Sequence, residues 1–219
     1  MPNNVSATGK KSAWRAEAWS LYAPGGGGQR KYLNHAERQR ALAAMAQLEP
    51  DQALFALTLA WSGARITEVL SLTPASFQTE AGIVAIRTLK RCKHSMREVP
   101  LPPFLMAALD RHFGLVRMQR NPETAFRRLW PWSRVTGWRL IKRVMRRCDI
   151  VGRSACPRGL RHSVGVHTLQ TGVPLNITQR WLGHARISTT AIYADASGPE
   201  ERAFAERFWR SSNNKTEAL

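Results

Sequence analysis

Acidic residues are scarce in this chain. Its 219 residues include 15 aspartates and glutamates against 33 lysines and arginines, so the formal net charge is +18. An excess of that size indicates a polyanionic partner, with nucleic acid first. A ribosome-type binder or a merely solvated basic surface stays open. An anionic membrane surface is a weaker alternative, because no long basic amphipathic helix stands out.

Cysteine and long apolar runs are scarce as well. The three cysteines, Cys92, Cys148 and Cys156, are odd in number and scattered, which disfavours a disulfide framework or a zinc site and fits a reducing cytosol. No apolar run approaches a membrane span, and the polar N-terminus lacks a signal-peptide core. The "GGGG" tract is not followed by Lys-Ser/Thr and a helix, which disfavours nucleotide hydrolysis at a P-loop.

The chain is long enough for one domain with a real core. Residues 1–31, which include "APGGGGQR", are predicted to form a flexible N-terminal tail. Residues 32–210 are predicted to form the organised domain, and residues 211–219 a disordered tail.

Caps, breakers and periodicity predict a mainly α fold with one small antiparallel sheet, of the α+β class. Asn34 caps a first helix, and two further helices are broken at Gly63. Strands are predicted in "SFQTEAGIVAIRTLK" and "SMREVPL". Ser133 caps a long basic helix that runs to about Cys148. Its predicted inner side comprises Val135, Trp138, Ile141, Val144 and Met145.

The C-terminal third is predicted to be helical. One helix follows Pro157 and ends at Thr171–Gly172, and another runs from Pro174 to Gly183. Ser188 and Thr189 can cap a short helix that carries Tyr193, and a final helix spans Glu200 to Trp209.

The stretch "GHARISTTAIYADA" surrounds Tyr193 with small and hydroxylated residues. A tyrosine at the end of a short helix with small neighbours should be reachable by a large ligand. The alternative is a packing residue whose hydroxyl is satisfied, which is what most tyrosines are.

Several basic residues could converge on this tyrosine. Arg65 follows the helix break at Gly63, where a guanidinium suits a phosphate, although an ion pair with Glu68 is the alternative. Arg158 and Arg161 lie three positions apart at the start of a helix, where two positive charges oppose the helix dipole, so an anion is expected there. Non-specific phosphate binding is the alternative for that pair.

Arginines, a lysine, a histidine and a tyrosine without paired acids indicate phosphoryl transfer without a metal. Arginines would neutralise charge in the transition state, and the tyrosine would be the nucleophile. Lys90, at the end of a strand, could protonate the leaving oxygen. No cofactor is expected.

Three motifs, in this order and spacing, resemble the catalytic domain of the tyrosine recombinases, the phage integrase family. They are "SGARITEVLSL", "TLK" with "REVPLP", and "GLRHSVGVHTLQTGVPLNITQRWLGHARISTTAIYA". The resemblance implies that DNA is cut by tyrosine attack, which forms a 3′-phosphotyrosyl intermediate and releases a 5′-hydroxyl. Another 5′-hydroxyl then rejoins the strand, with neither ATP nor a metal.

The resemblance also implies roles by position. Tyr193 matches the nucleophile, and Arg65 and Arg161 match the two arginines that hold the phosphate. Lys90 matches the hairpin lysine that acts as general acid. His184 matches the histidine, replaced by tryptophan in some members, that hydrogen-bonds the scissile phosphate.

Two departures from the family accompany these matches. Arg158 stands where a histidine usually precedes the second arginine by three residues, and arginine cannot act as a base near neutral pH. Either a base comes from elsewhere, or Arg158 is only a phosphate contact. His162 is expected to point away from the site as a structural histidine. Family members usually carry a helical core-binding domain of about a hundred residues before the catalytic domain. Residues 1–31 are not expected to form one, so DNA binding should be weaker and more sensitive to salt.

The resemblance implies double-stranded DNA as substrate, a homo-tetramer on two DNA sites, and an accessory recombinase or DNA-bending protein as a further partner. We expect a cytoplasmic, nucleoid-associated protein with no membrane partner. The basic run "RLIKRVMRR" is expected to contact the DNA backbone. Two other functions stay open, namely a non-catalytic DNA-binding regulator and DNA relaxation of the type IB topoisomerase kind.

Overall fold

The computed structural model describes residues 21–22, 29–88, 95–194, 202 and 205–210. Ten helices, a 3-10 turn and three strands are assigned within residues 29–88 and 95–194, and residues 202 and 205–210 are helical as well. The first part comprises α1 (His35–Ala46), α2 (Pro50–Ser62), α3 (Ile66–Val69), a 3-10 turn (Pro74–Ser76), β1 (Phe77–Gln78), β2 (Ile83–Thr88) and β3 (Ser95–Pro100). The second comprises α4 (Pro103–Phe113), α5 (Leu115–Gln119), α6 (Pro122–Ala125), α7 (Arg134–Arg147), α8 (Pro157–Gln170), α9 (Leu175–Leu182) and α10 (Ser188–Ala191).

The sheet is antiparallel with the order β1-β2-β3. Phe77 pairs with Val84, which pairs in turn with Val99. Alternate residues of β2 and β3 face the interior, since side chains alternate along a strand. This alternation places Arg97 on the same buried side as Val99, an inward position that arginine rarely occupies.

The main core lies around α2, which is apolar on nearly every side and buries eight of its residues. Its Phe55 meets Trp130 edge-on, with ring centroids 5.6 Å apart. The Trp130 indole N–H donates to the Asp51 carbonyl at 3.1 Å, so the largest side chain of the core is also satisfied as a donor. Trp130 is buried in this core, and Trp132 and Trp181 are partly buried and pack against it.

The mainly α fold with one small antiparallel sheet is confirmed. Two predicted caps are present: Asn34 accepts from the Glu37 N–H in a capping box, and Ser133 accepts from the Thr136 N–H. The predicted cap at Ser188 and Thr189 is wrong, because both residues lie within α10 and its N-cap residue, Ile187, makes no side-chain cap hydrogen bond. The short helices α5 and α6 were not predicted. The described part of the predicted final helix, residues 202 and 205–210, is helical, and its other residues lie outside the described ranges.

The predicted inner side of α7 is partly wrong. Val135 and Trp138 are 52% and 43% exposed, while the buried residues are Gly137, Leu140, Ile141, Val144 and Met145. Gly137 faces the core and lies close to Phe55: a methyl group at this position would come 2.9 Å from the Phe55 ring. Trp138 instead lies on the outer face, where the Lys142 ammonium approaches its ring at 6.0 Å.

A second, smaller cluster forms beside the main core. It contains Leu21, Tyr32, Val164, Val166, Leu182 and Tyr193. The Lys31 N–H donates to the Leu21 carbonyl at 2.8 Å, and Tyr22 forms a β-bridge with Arg30. The described residues of the N-terminal segment therefore pack on the domain at this cluster. The domain boundary at residue 32 stays a prediction.

Among the described residues, no helix is both long enough and apolar enough to cross a membrane.

Candidate active site

Tyr193 lies in the turn that follows α10, and its side chain is buried. It is 1% exposed within the second cluster, so the prediction that small neighbours leave it reachable is wrong. The ring rests on Gly165 of α8, where a methyl group would collide with ring carbon Cε2. The small residues near Tyr193 in sequence do not surround it in space, because the ring turns inward onto α8.

The phenol hydroxyl contacts a histidine that was expected to point elsewhere. His162 Nδ1 lies 3.1 Å from Tyr193 Oη. Residues 162 and 165 are three apart on α8 and share one face. The absent side chain at Gly165 thus lets the phenol lie along α8 and reach the imidazole. The prediction that His162 points away is therefore wrong.

Arg161, on the same helix, joins two helix ends. It is 8% exposed, and its guanidinium donates to the Gly63 carbonyl at 2.7 Å and to the Leu182 carbonyl at 2.5 Å. Gly63 ends α2 with a left-handed φ of 61°, and Leu182 is the last residue of α9. Burial and the nearby positive charge of Arg65 lower the pKa of Arg161 to about 10, so it stays a cation at neutral pH.

Arg65 and the buried Arg97 share the carboxylate of Glu68. Arg65 lies 2.9 Å from one carboxylate oxygen, and Arg97 lies 2.6 Å from the other. Both Glu68 and Arg97 are almost wholly buried, whereas the Arg65 side chain is 28% exposed. Arg97 also donates to the Trp181 carbonyl and the Thr88 hydroxyl. The ion pair predicted as the alternative for Arg65 is therefore present.

Glu68 is held ionised by these partners. Burial opposes its charge, but the hydrogen bond and charge of Arg97, together with the backbone N–H and charge of Arg65, keep the pKa of Glu68 below its usual value. The sequence signal for this acid is its position three residues after Arg65, where its carboxylate accepts the Arg65 backbone N–H at the start of α3.

His184 follows Gly183, where α9 ends. Its ring stacks on Tyr193 with centroids 6.0 Å apart and planes 24° apart, and its Nδ1 lies 2.9 Å from the Thr190 hydroxyl. Burial, and then the charges of Arg161 and Arg65, lower the pKa of His184 to about 3. The imidazole is therefore neutral at pH 7 and can donate a single N–H.

Arg65 and Arg161 both lie close enough to Tyr193 to affect its ionisation. Burial raises the pKa of Tyr193 to about 12, and the charges of Arg161 and Arg65 act in the opposite sense. The phenol is therefore protonated at neutral pH, although the two nearby arginines favour negative charge at its oxygen.

The other two predicted site residues are Arg158 and Lys90. Arg158 is exposed at the first turn of α8, although its charge affects the pKa of His162. Lys90 lies outside the described residues. Within the ranges that are described, no group of three or more His, Cys, Asp or Glu residues is arranged to hold a metal ion.

The assembled residues suit a tetrahedral oxyanion. A guanidinium has five N–H donors, so the two carbonyl contacts of Arg161 do not exhaust it. Arg65 and Arg161 are fixed by buried partners before any ligand binds, and such preorganised charge is effective at stabilising an anionic transition state.

A basic surface lies along α7. Five arginines of this helix are exposed, namely Arg134, Arg139, Arg143, Arg146 and Arg147. An open groove of about 830 Å³ runs beside them, and its lining includes Trp132, Trp138 and Lys142. Positive side chains around partly exposed tryptophan rings suit contact with a nucleic acid backbone.

Comparison with known proteins shows the family and the fold. The family model described as "Phage integrase family" matches residues 31–199. The chain is 30% identical over 158 residues to tyrosine recombinase XerA of Pyrococcus furiosus, covering 70% of this chain and 53% of that protein. It is 29% identical over 153 residues to tyrosine recombinase XerD of Staphylococcus haemolyticus, covering 67% of this chain and 50% of that protein. It thus spans about half the length of these relatives.

Solved structures share the fold. The crystal structure of XerA recombinase superposes with a TM-score of 0.65 at 23% identity, over 82% of this chain and 64% of that one. The catalytic domain of bacteriophage HP1 integrase superposes with a TM-score of 0.57 at 22% identity, over 83% of this chain and 96% of that one. Within this fold, the match to the HP1 domain extends over nearly the whole of that chain.

Proposed function

Since the chain belongs to the phage integrase family, we propose that it cuts and rejoins double-stranded DNA at specific sites through a 3′-phosphotyrosyl intermediate, without metal or ATP. The observation that carries the proposal is the convergence of Arg65, Arg161 and His184 on the buried phenol of Tyr193. These residues come from four separate stretches of the chain. Packing alone does not require two arginines beside a tyrosine.

In the proposed reaction Tyr193 Oη attacks the phosphorus, and Arg65 and Arg161 hold the non-bridging oxygens. Guanidinium groups match phosphate oxygens in geometry as well as charge. The neutral His184 donates its N–H to a phosphate oxygen. Lys90 protonates the leaving 5′-oxygen, an assignment that rests on the resemblance. The phosphotyrosyl ester keeps the energy of the broken bond, so rejoining needs no further source.

Cutting also requires a movement. Tyr193 is 1% exposed, and a phosphodiester cannot reach an oxygen that water scarcely reaches. The apolar cover formed by residues such as Leu21 and Tyr32 must open, or the segment that follows α10 must swing outward. DNA that interacts better with the open form would shift the equilibrium towards it.

Arg158 is proposed as a phosphate contact. It is exposed in the first turn of α8, where free backbone N–H groups also favour an anion. The proposed partners are a homo-tetramer of this chain on two DNA sites and an accessory recombinase or DNA-bending protein. A location on the nucleoid follows from the same proposal.

Covalent trapping tests this function. The protein is incubated with nicked duplexes that carry candidate sites, so that the cut strand loses a short fragment and cannot be rejoined. We expect an SDS-stable adduct without metal or ATP, and peptide mapping that places the nucleotide on Tyr193. Binding with no adduct on any substrate would contradict the proposal.

The same experiment separates two other functions. The burial of Tyr193 and the arginine at position 158 favour a non-catalytic regulator, which would bind the sites and never form the adduct. Relaxation of supercoiled plasmid without strand exchange between sites would indicate chemistry of the topoisomerase kind. Strand exchange between two sites would support recombination.

Arg139 and Arg146 test the surface along α7. They lie two helical turns apart and both line the groove. If each contacts a phosphate, converting both to glutamine should reduce the slope of log affinity against log salt by about 0.9 per residue. Fluorescence anisotropy over a salt series measures this slope. Arg111→Gln removes an exposed arginine of α4 and should leave the slope unchanged. Equal effects of all three substitutions would argue against a defined surface.

A further inference from the structure

The proposed reaction needs an acceptor for the phenol proton. Tyr193 must lose this proton as Oη bonds to phosphorus, and its pKa of about 12 leaves almost no phenolate at neutral pH. Arginine at position 158 cannot accept a proton near neutral pH. His184 presents a stacked ring to the phenol, and its Nδ1 is hydrogen-bonded to Thr190.

His162 is placed on the hydroxyl itself. Its Nδ1 lies 3.1 Å from Tyr193 Oη, within the reach expected of a general base. The ring centroids are 5.8 Å apart and the planes are tilted by 60°. The contact joins the start of α8 to the segment after α10 and depends on Gly165, which keeps the space between them open.

We infer that His162 is a catalytic residue in this chain and takes the phenol proton during attack on the phosphodiester. The inference rests on the proposed function and takes the apolar cover, not Tyr193, as the part that moves, so that the contact with His162 is kept. In the cutting step the Tyr193 Oη–phosphorus bond forms, the phosphorus–5′-oxygen bond breaks, and the phenol proton moves to His162 Nδ1. The leaving 5′-oxygen takes a proton from the general acid. In rejoining, His162 returns its proton to the phenol oxygen as the phosphotyrosyl bond breaks.

Burial and the charges around His162 keep its imidazole neutral, so that it can accept a proton. Burial, and then the charges of Arg161, Arg158 and Lys31, lower its pKa to about 4. The imidazole is therefore neutral at pH 7. When Nε2 carries the hydrogen, Nδ1 offers its lone pair to the phenol O–H.

Before DNA binds the proton stays on Tyr193, because the phenol is a much weaker acid than the protonated imidazole of His162. Two changes alter this balance during attack. Oη becomes far more acidic as it bonds to phosphorus, and the phosphodiester brings a negative charge that stabilises a cationic imidazole. Transfer is therefore concerted with attack, as in general-base catalysis elsewhere.

His162→Asn provides the test. The asparagine side-chain oxygen can occupy the region of Nδ1 and accept the phenol hydrogen bond, but it cannot take the proton. Single-turnover adduct formation is measured across pH on DNA with a sulfur in place of the scissile 5′-oxygen. That sulfur leaves without a proton, so the pH profile reports on the nucleophile alone.

With His162 as proton acceptor, the wild-type rate should be flat between about pH 6 and 8, because the imidazole is neutral throughout. The variant should be about 10²- to 10⁴-fold slower at pH 7 and should gain about tenfold per pH unit, since hydroxide must then remove the proton. A variant slowed by the same factor at every pH would overturn the inference and leave only a positioning role.

His167→Asn is the matched control. His167 is a half-buried histidine of α8 that is hydrogen-bonded to Gln170 and lies outside the site, so its substitution should preserve both rate and profile. Thermal unfolding and DNA affinity establish that both variants are folded. Absence of the wild-type adduct would contradict the proposed function itself. A wild-type adduct with an unaltered His162→Asn rate would overturn only the role of His162.

Discussion

Replacing Tyr193 by phenylalanine should yield a folded, DNA-binding protein that forms no covalent adduct. The substitution removes the nucleophilic oxygen and nothing else. The ring stays in its cluster on Gly165, so the apolar packing that buries it is retained. Loss of the hydrogen bond with His162 should cost about 1 kcal/mol of unfolding free energy. Adduct formation should fall by on the order of 10⁴-fold or more, as when a catalytic nucleophile is removed elsewhere.

Tyr32→Phe is the control for this substitution. The chain has three tyrosines, and Tyr32 belongs to the same cluster as Tyr193 with no exposed surface. Removing its hydroxyl should leave adduct formation intact. An adduct that persists in Tyr193→Phe, or that disappears in Tyr32→Phe and not in Tyr193→Phe, would contradict the assignment of the nucleophile. Denaturing gels measure the adduct, and anisotropy confirms DNA binding.

Glu68→Gln should destabilise the protein more than Tyr193→Phe, Tyr32→Phe or Glu98→Gln. The substitution keeps the shape but leaves Arg97, whose side chain is 3% exposed, without its counter-charge. Removing one partner of a buried ion pair costs about 3–5 kcal/mol. Arg65 also loses its carboxylate partner, so the guanidinium should be held less firmly and adduct formation should slow as well.

The lowered pKa of Glu68 predicts how the stability of the fold changes with pH. The folded-state pKa of Glu68 lies below its ordinary value of about 4.5, so its ionised form stabilises the fold. That contribution is complete above the unfolded-state pKa and is lost as pH falls towards the folded-state value. Wild type should therefore lose stability on acidification through this window, and Glu68→Gln should lose less.

Urea unfolding at several pH values measures both effects. Glu98→Gln is the matched control, since Glu98 is exposed on β3 and bonded only to the side-chain amide of Gln78 among the contacts described. It should change the unfolding free energy by under about 0.5 kcal/mol. A Glu68→Gln protein as stable as the control would show that the buried carboxylate is not needed to neutralise Arg97.

Local signals in the sequence predicted most of the fold. Asn34 and Ser133 cap helices through bonds to N–H groups three residues ahead, and such caps can be read from neighbouring residues alone. The short helices α5 and α6 were missed because segments of four or five residues carry too little periodicity. Trp138 was misassigned because an apolar residue near the edge of a helical stripe can face either way, and here its ring lies against Lys142.

Local signals in the sequence predicted less of the site than of the fold. The clustering of Arg65, Arg161, His184 and Tyr193 was expected only through resemblance, since it depends on how distant helices pack. The contact of His162 with Tyr193 joins residues 31 apart in sequence, and no local pattern encodes it. The burial of Tyr193 was missed for the same reason: the side chains that cover it, such as Leu21 and Leu182, are remote in the chain.

The burial of Tyr193 in its apolar cluster has a consequence for the host chromosome. Any cell offers a DNA-cutting enzyme an enormous excess of wrong sequence, on the order of 10⁶–10⁹ competing positions. With Tyr193 packed beneath Leu21 and Tyr32, a chance encounter meets arginines but no accessible nucleophile. Such an encounter ends in dissociation. Under the proposed function, only a complex stable enough to offset the loss of that packing would expose the tyrosine. The same apolar contacts that complete the fold would then also protect the genome from stray breaks.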